Sequence, residues 1–267
     1  MDELGTLLGI GGDFTPFLVL GALAVARIAP VLWMVPFLGG KTLPPQARIA
    51  LAVMLTLLLF PALASGGRQV PSSPVALVAL LFKEVLVGTA MGLVTALPFA
   101  ALEMSGRLVD TIRGANLSEV LDPHSGQRTS PLGELHLLLG IAVFLAIGGH
   151  HAFLRTLADS FSALPVVEFP QAHPATVGAF AESVARLGAA ALATAIGLAG
   201  PAIVAILATE VALGILNRAA PQIAVYFVGM PLRAAAGLAA ATLTVALLLP
   251  ALRTQAALAL RALATLL

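Results

Sequence analysis

The stretch LGAAALATAIGLAGPAIVAILAT, residues 187–209, runs for 23 residues without a charged side chain. A helix needs about 20 apolar residues to cross the hydrocarbon core of a bilayer, so this stretch alone is long enough to span a membrane. Two further charge-free runs of 19 residues, at 49–67 and 234–252, repeat the pattern. The sequence therefore predicts a multi-pass membrane protein.

The composition of the whole chain supports the same class. Of its 267 residues, 59% are apolar and only 10% are charged, against roughly 25% charged residues in an ordinary soluble domain. So few charges cannot cover a soluble globule with a polar surface. A net charge of +1 provides no basic field for nucleic acid. The absence of cysteine excludes disulfides, thiol nucleophiles and cysteine-bound metal.

Six apolar segments define an all-α fold of about six hydrophobic helices: 14–38, 49–67, 75–102, 137–149, 187–209 and 234–252. The fourth has only 13 residues, which favours a buried or re-entrant helix. Proline removes a backbone donor from a helix, so we expect breaks at Pro30, Pro36, Pro98 and Pro201. Such breaks belong in positions buried against protein rather than against lipid.

Four charges lie inside or beside these apolar segments: Arg27, Lys83, Glu84 and Glu210. Each costs on the order of 2.5–3.5 kcal/mol at the centre of a membrane helix. Neighbours on a helix point about 100° apart, so we expect Lys83 and Glu84 to pair with other helices rather than with each other. Two interpretations stay open, structural pairing and a group that responds to protons or ions.

A polar insert at 103–134 interrupts the apolar pattern and carries eight charges. Arg107, Asp110 and Arg113 fall on one helix face and alternate in sign. Asp122-Pro123 predicts a turn, and Ser130-Pro131 predicts an N-cap followed by a first-turn proline. The insert is either a soluble loop or a hairpin in a protein-lined cavity. In the second case its aliphatic residues, Leu117, Val120 and Leu121, would close a pore by excluding water.

Several short motifs, taken in order, resemble the FliR/SctT family of export-gate components of bacterial type III secretion systems. The matching motifs run from Lys83-Glu84 and Gly88 to Pro231, and the resemblance covers roughly residues 27 to 233. The matching residues that it implies for assembly are Glu84, Gly88, Gly106, Asp110, Arg113, Gly114, Asp122, Pro123, Arg218, Pro221, Gln222, Gly229 and Pro231. The Asp110/Arg113-Gly114-Ala115 and Ser130-Pro131-Leu132 patterns look more like the injectisome branch than the flagellar branch.

The resemblance implies a non-enzymatic subunit of the bacterial inner membrane, built as one membrane domain of tilted hairpins over residues 1–267. One copy would join other export-gate membrane subunits and a large export-apparatus membrane protein at the entrance for unfolded substrates. The family's plug maps onto Leu117, Val120 and Leu121, where relatives often carry aromatic residues. Ala224 stands where an asparagine is common in the family.

Rival functions have weaker sequence support. A small secondary transporter could use the four charges as a midplane site, but many such proteins contain two similar halves, and this sequence has no convincing internal repeat. An intramembrane hydrolase lacks an evident nucleophile and base. His150 and His151 are adjacent and so do not share a helix face, which argues against a metal site. No cofactor is expected.

Overall fold

The computed structural model describes residues 15–39, 43–64, 71, 73–114, 120–121, 128–169, 174–222 and 224–266. Over these residues the chain forms seven α-helices, one 3-10 turn and a two-residue β-ribbon. The helices are α1 (Thr15–Met34), α2 (Pro45–Ala64), α3 (Pro74–Ile112), α4 (Pro131–Ala146), α5 (Gly149–Ala163), α6 (Pro174–Ala219) and α7 (Val225–Leu266). The 3-10 turn is Pro36–Leu38, and the ribbon is β1 (Val120–Leu121) with β2 (Arg128–Thr129).

The all-α class is confirmed, and so is the membrane character of the helices. In the described part of the chain, α1, α3, α6 and α7 each contain a segment long and apolar enough to cross a bilayer. The α4–α5 pair, interrupted at Ile147 and Gly148, has the composition of one further broken span. The apolar part of α2, Pro45–Phe60, is shorter than these candidate membrane spans.

Six of the seven helices coincide with the six predicted segments, and α5 is the one that the apolar runs missed. Its sequence, GHHAFLRTLADSFSA, mixes polar and apolar residues. Phe153, Leu157, Ser160 and Phe161 form its buried face, with a spacing of three to four residues that is typical of an amphipathic helix. A search for unbroken apolar runs cannot detect such a helix. A search for apolar residues spaced three to four apart can.

The prolines break fewer helices than expected. Pro30, Pro98 and Pro201 lie inside α1, α3 and α6, which continue past them. Pro36 alone of the four lies at a helix end, where the 3-10 turn follows α1. One proline removes a single helical hydrogen bond, and a buried environment can tolerate that loss. A sharper interruption comes at Gly148, whose φ of 75° ends α4.

The chain divides into two compact units. The first comprises Met1–Gly92 and His151–Ala172 together with Leu267, and the second comprises Leu93–His150 and His173–Leu266. Helix α3 contributes residues to both. The prediction of one export-gate domain over 1–267 stays a prediction.

In the first unit, glycines of α3 allow close packing against α1. A Cβ atom at Gly88 would overlap the carbonyl oxygen of Arg27. One turn later, a Cβ atom at Gly92 would lie 3.2 Å from Met34 and Val31. Small residues four apart are a common means of close helix packing in membranes, where lipid gives no hydrophobic drive for association.

In the second unit, α6 and α7 form a long antiparallel hairpin. The amide nitrogen Nε2 of Gln255 donates to the Thr194 hydroxyl at 2.7 Å, and Thr265 approaches Ser183 farther along the pair. A core packs this hairpin against α3 and the start of α4, and its buried members are Val109, Leu132, Ala199, Ala202, Ile206, Ala240 and Ala241. Gly106 lies so close to the Leu132 backbone that a Cβ atom would overlap it.

The contact between Gly88 and the Arg27 backbone gives a direct test of the first unit. We expect G88A to lower the free energy of unfolding by about 1–3 kcal/mol, because the new methyl group meets a backbone that cannot yield. The measurement is the apparent melting temperature of the protein in native membrane vesicles. G21A is the matched control, since a Cβ atom at Gly21 meets nothing within 4 Å. Equal melting of both variants would contradict the packing.

Candidate functional site

A buried charge cluster in the first unit joins α1 and α3. The guanidinium of Arg27 and the carboxylate of Glu84 form a bidentate pair, with Nε to Oε2 at 2.5 Å and Nη2 to Oε1 at 3.1 Å. Both side chains are completely buried. Paired hydrogen bonds of this kind are among the strongest in proteins, so each charge compensates the other.

Lys83 completes the cluster, and here the sequence prediction was wrong. Its Nζ lies 2.6 Å from Oε1 of Glu84, the adjacent residue that was not expected to pair with it. The Cβ atoms of Lys83 and Glu84 point in different directions around the helix. Their side chains are long and flexible, so the charged ends can still meet. The same ammonium donates to the carbonyl oxygens of Pro165 and Glu168, both at 2.8 Å, and to that of Val166 at 3.2 Å.

Arg27 also holds the C-terminal end of α5. Nη1 donates to the carbonyl oxygen of Ser160 at 2.7 Å, and Nη2 donates to that of Leu164 at 2.5 Å. The guanidinium lies 4.4 Å above the ring of Phe161. The carbonyl oxygen of Ser160 also accepts from the Leu164 N–H at 2.9 Å, so Arg27 adds a second donor to it. The C-terminal end of a helix carries partial negative charge, which favours a cation there. The cluster therefore anchors α5 to α1 and α3. This arrangement supports the interpretation of the charges as structural pairing.

A second cluster, in the second unit, is centred on Asp110 near the end of α3. Its Oδ1 accepts from Nε of Arg113 at 2.7 Å, and its Oδ2 accepts from the backbone N–H of Leu132 at 2.9 Å and from the Ser130 hydroxyl. The Ser130 oxygen accepts from the N–H of Gly133 at 3.0 Å, with Pro131 in the first turn. The predicted N-cap of α4 is confirmed.

These contacts define the base of the polar insert, which is smaller than predicted. Glu103, Arg107 and Asp110 lie within α3, and Arg107 pairs with Glu103 on the surface. Gly114, with a φ of 79°, follows the end of α3. Such a conformation suits glycine at a helix C-terminus.

Of the predicted plug residues, the structure describes two. Val120 and Leu121 form β1, which pairs antiparallel with β2 so that Val120 faces Thr129 and Leu121 faces Arg128. Leu117, Asp122 and Pro123 lie outside the described residues. The ribbon shows that the chain returns on itself between α3 and α4.

A hydrogen-bonded histidine in the second unit was not identified from the sequence. Nδ1 of His136 in α4 lies 2.8 Å from the Ser105 hydroxyl in α3, and Nε2 lies 3.5 Å from the Thr244 hydroxyl in α7. All three side chains are fully buried. The Ser105 hydroxyl donates to the Leu102 carbonyl, so it is not poised to give its proton to His136. Of the three residues only Thr244 lies within a predicted apolar segment, 234–252, and no pattern in the sequence linked it to Ser105 or His136.

The remaining predicted residues lie at the turn between α6 and α7. Arg218 is in the last turn of α6, Pro221 and Gln222 form the turn, and Gly229 and Pro231 lie in α7. Glu210 was grouped with Arg27, Lys83 and Glu84, but its ion-pair partner is Arg233, with Oε1 and Nη1 3.6 Å apart. Within the described residues no three His, Asp or Glu side chains are grouped to hold a metal.

Long apolar helices joined by buried ion pairs define a helical multi-pass membrane protein. The sequence model described as bacterial export proteins, family 1, matches residues 18–258, and the chain belongs to this family. The predicted family resemblance is thereby confirmed. Membership in an export-apparatus family and the apolar helices together identify a multi-pass protein of the bacterial inner membrane.

Relatives include proteins named for flagellar biosynthesis, for surface presentation of antigens and for Yop protein translocation. The chain is 33% identical over 224 residues to flagellar biosynthetic protein FliR of Pectobacterium carotovorum subsp. carotovorum, covering 84% of this chain and 82% of that protein. It is 30% identical to surface presentation of antigens protein SpaR of Shigella sonnei, covering 81% of each. Yop proteins translocation protein T of Yersinia pestis is 32% identical, with 78% and 76% covered.

The charge cluster predicts a large effect of neutralising Glu84. We expect E84Q to lower the free energy of unfolding by about 3–5 kcal/mol, because two buried cations lose their only carboxylate partner within the cluster. The apparent melting temperature of the protein in native membrane vesicles should fall on the order of 10 °C. E182Q is the control, since its pair with Arg186 is exposed and worth less than about 1 kcal/mol. A wild-type melting temperature for E84Q would contradict the assignment.

Proposed function

We propose that this chain is a non-enzymatic core subunit of a type III export gate, forming with partner membrane proteins the entrance pore for unfolded proteins. We further propose that the segment with Leu117, Val120 and Leu121 closes that pore at rest. The observation that carries this proposal is the Asp110 cluster, which ties the end of α3 to the start of α4 beneath the hairpin.

The Asp110 cluster supports a positioned plug for a mechanical reason. One buried carboxylate accepts hydrogen bonds from both sides of the hairpin, from Arg113 before it and from Ser130 and Leu132 after it. Charge-assisted bonds to a buried acceptor resist displacement by water. Both ends of the segment are thereby fixed, and aliphatic side chains can close a pore by excluding water.

The exposed face of α6 supports packing against partner subunits. Val204, Leu207, Val211 and Ile215 repeat at intervals of three or four residues, and each is 50–67% exposed. Beside them, Cβ atoms at Gly197 and Gly200 would meet nothing within 4 Å. Small residues that leave open space allow another helix backbone to approach closely.

The injectisome branch remains our preference, based on the Arg113-Gly114-Ala115 and Ser130-Pro131-Leu132 patterns. Identities of 33% to a flagellar protein and 32% to a Yop translocation protein do not separate the branches. A transporter with a midplane charged site has less support, because Arg27, Lys83 and Glu84 are engaged with one another and with backbone carbonyls.

The plug assignment predicts a membrane leak. In the assembled complex, L117A/V120A/L121A should raise passage of a small solute severalfold, because smaller side chains leave a hydrated gap. D110N should raise it as well, since the hairpin base loses its charged acceptor. The measurement is solute entry into cells that express the complete apparatus.

The matched control for the leak is L135A/L138A/L145A, which truncates three exposed leucines of α4. We expect no added leak from it. A plug variant that assembles normally yet leaks no more than this control would rule out the gate assignment, while leaving the subunit assignment intact.

The subunit assignment predicts dependence on partners. Affinity capture of the tagged chain from native membranes should recover other export-apparatus membrane proteins in fixed ratio, identified by mass spectrometry. Produced alone, the chain should aggregate after detergent extraction, because its exposed apolar faces lack their partners. A monodisperse solitary protein with substrate-dependent ion flux would instead identify a transporter.

A further inference from the structure

Helix α4 packs closely onto α3 around a single histidine. Gly133, His136 and Gly140 are spaced three and four residues apart, so they share one face of α4. A Cβ atom at Gly133 would lie 3.1 Å from the Glu103 carbonyl oxygen, and one at Gly140 would overlap the Leu102 side chain. The His136 ring, which lies between the two glycines along α4, is fully buried. The ring is therefore part of the helix packing and has no contact with water.

The hydrogen bonds of the ring assign its proton in the neutral state to Nδ1. Nδ1 of His136 lies 2.8 Å from the Ser105 hydroxyl oxygen. That hydroxyl already donates its one hydrogen to the Leu102 carbonyl at 2.6 Å. The ring nitrogen is therefore the donor in the contact with Ser105. Because a neutral imidazole carries a single N–H, Nε2 is left with an unprotonated lone pair.

Nε2, on the side of α7, faces an oxygen that has no hydrogen to give. The Thr244 hydroxyl donates to the Ala241 carbonyl at 2.6 Å, so its hydrogen is committed. Its oxygen lies 3.5 Å from Nε2 of His136, which is longer than a good hydrogen bond. Within the described residues Nε2 is a buried acceptor to which no hydrogen is directed. It is the atom of the ring at which a second proton would bind.

The helices around His136 provide little charge to compensate a second proton. The runs 187–209 of α6 and 234–252 of α7 contain no charged residue. On α4 itself, Glu134 is exposed. On α3, Glu103 and Arg107 pair with each other at the surface. Each of these carboxylates is thus directed to water or to another cation.

One buried carboxylate does act on the ring, and its hydrogen-bonding capacity is used elsewhere. Asp110 of α3 interacts electrostatically with His136. Its oxygens accept hydrogen bonds from Arg113, Ser130 and Leu132, and Arg113 balances its charge. A cation at His136 in the packed state would therefore be buried without a counter-charge of its own, which is costly.

We propose that His136 is a proton-responsive contact, which holds α4 between α3 and α7 while the ring is neutral and releases α4 when Nε2 takes a proton from solvent. A hydrated histidine has a pKa of about 6.5. The packed state, which holds the ring neutral, is therefore favoured above this pH and is lost as the pH falls through it. The same helix begins beside the Ser130 and Leu132 bonds to Asp110, so its release acts on the base of the hairpin. The proposal uses the second unit alone and does not depend on the plug.

The experiment measures amide hydrogen exchange of the full chain with its partners in native membrane vesicles. It compares about pH 7.5 with about pH 5.5, one unit on either side of the pKa of a hydrated histidine. Mass spectrometry follows the peptides of α4, and each rate is divided by the intrinsic rate at the same pH. In the wild type, protection of α4 should fall about tenfold at the lower pH, because the protonated, released population grows by that factor. Protection of α1 in the first unit should not change.

Two histidine variants locate the response. H136N keeps an N–H near the Ser105 oxygen but cannot take a proton, so its α4 protection should be equal at both pH values, whatever its level. H151N replaces an exposed histidine of α5 and should keep the tenfold change.

Unchanged α4 protection in the wild type, or an equal loss in α1, would overturn the proposal, and this comparison needs no variant. A tenfold change retained in H136N, or abolished in H151N, would assign the response to another group and overturn it as well.

Discussion

Charge burial is the constraint on which this structure depends most. Burying Arg27 or Glu84 alone within apolar helices would cost much free energy. The two charges are stable here because each compensates the other. Backbone carbonyl oxygens compensate these charges as well. Arg27 and Lys83 together donate to the carbonyls of Ser160, Leu164, Pro165, Val166 and Glu168. The charges therefore hold α5 and the segment after it on α1 and α3. Asp110 has the same role in the second unit, where one carboxylate joins two helix ends.

Close backbone packing is the second requirement, and it depends on particular glycines. Gly88 against Arg27 and Gly106 against Leu132 leave no space for a methyl group. Other glycines, among them Gly197 and Gly200, border open space. The glycines of this chain thus serve two purposes, packing inside each unit and leaving faces that another helix can approach. Composition alone cannot distinguish the two, because it counts glycines without recording what they contact.

Much of the fold follows from the sequence, because an apolar run of sufficient length has few alternatives to a helix in lipid. The apolar segments located six helices, and the Ser130-Pro131 pair located the start of α4. The amphipathic helix α5 was missed because its apolar residues are spaced rather than continuous. The pairing of Lys83 with Glu84 was rejected on helical geometry that ignored the reach of the side chains. The Ser105–His136–Thr244 bridge joins residues from three distant segments, and such contacts depend on tertiary packing that a single sequence does not reveal.

The lengths of α6 and α7 have a consequence for the supply of this protein in the cell. At 46 and 42 residues, these helices extend about 69 and 63 Å, roughly twice the thickness of a bilayer core. The surplus length carries exposed leucine, valine and phenylalanine that lipid alone cannot cover. A copy made in excess of its partner subunits would expose the apolar surface of this hairpin to chaperones and proteases. On the proposed function, we expect its abundance to follow that of the scarcest partner subunit.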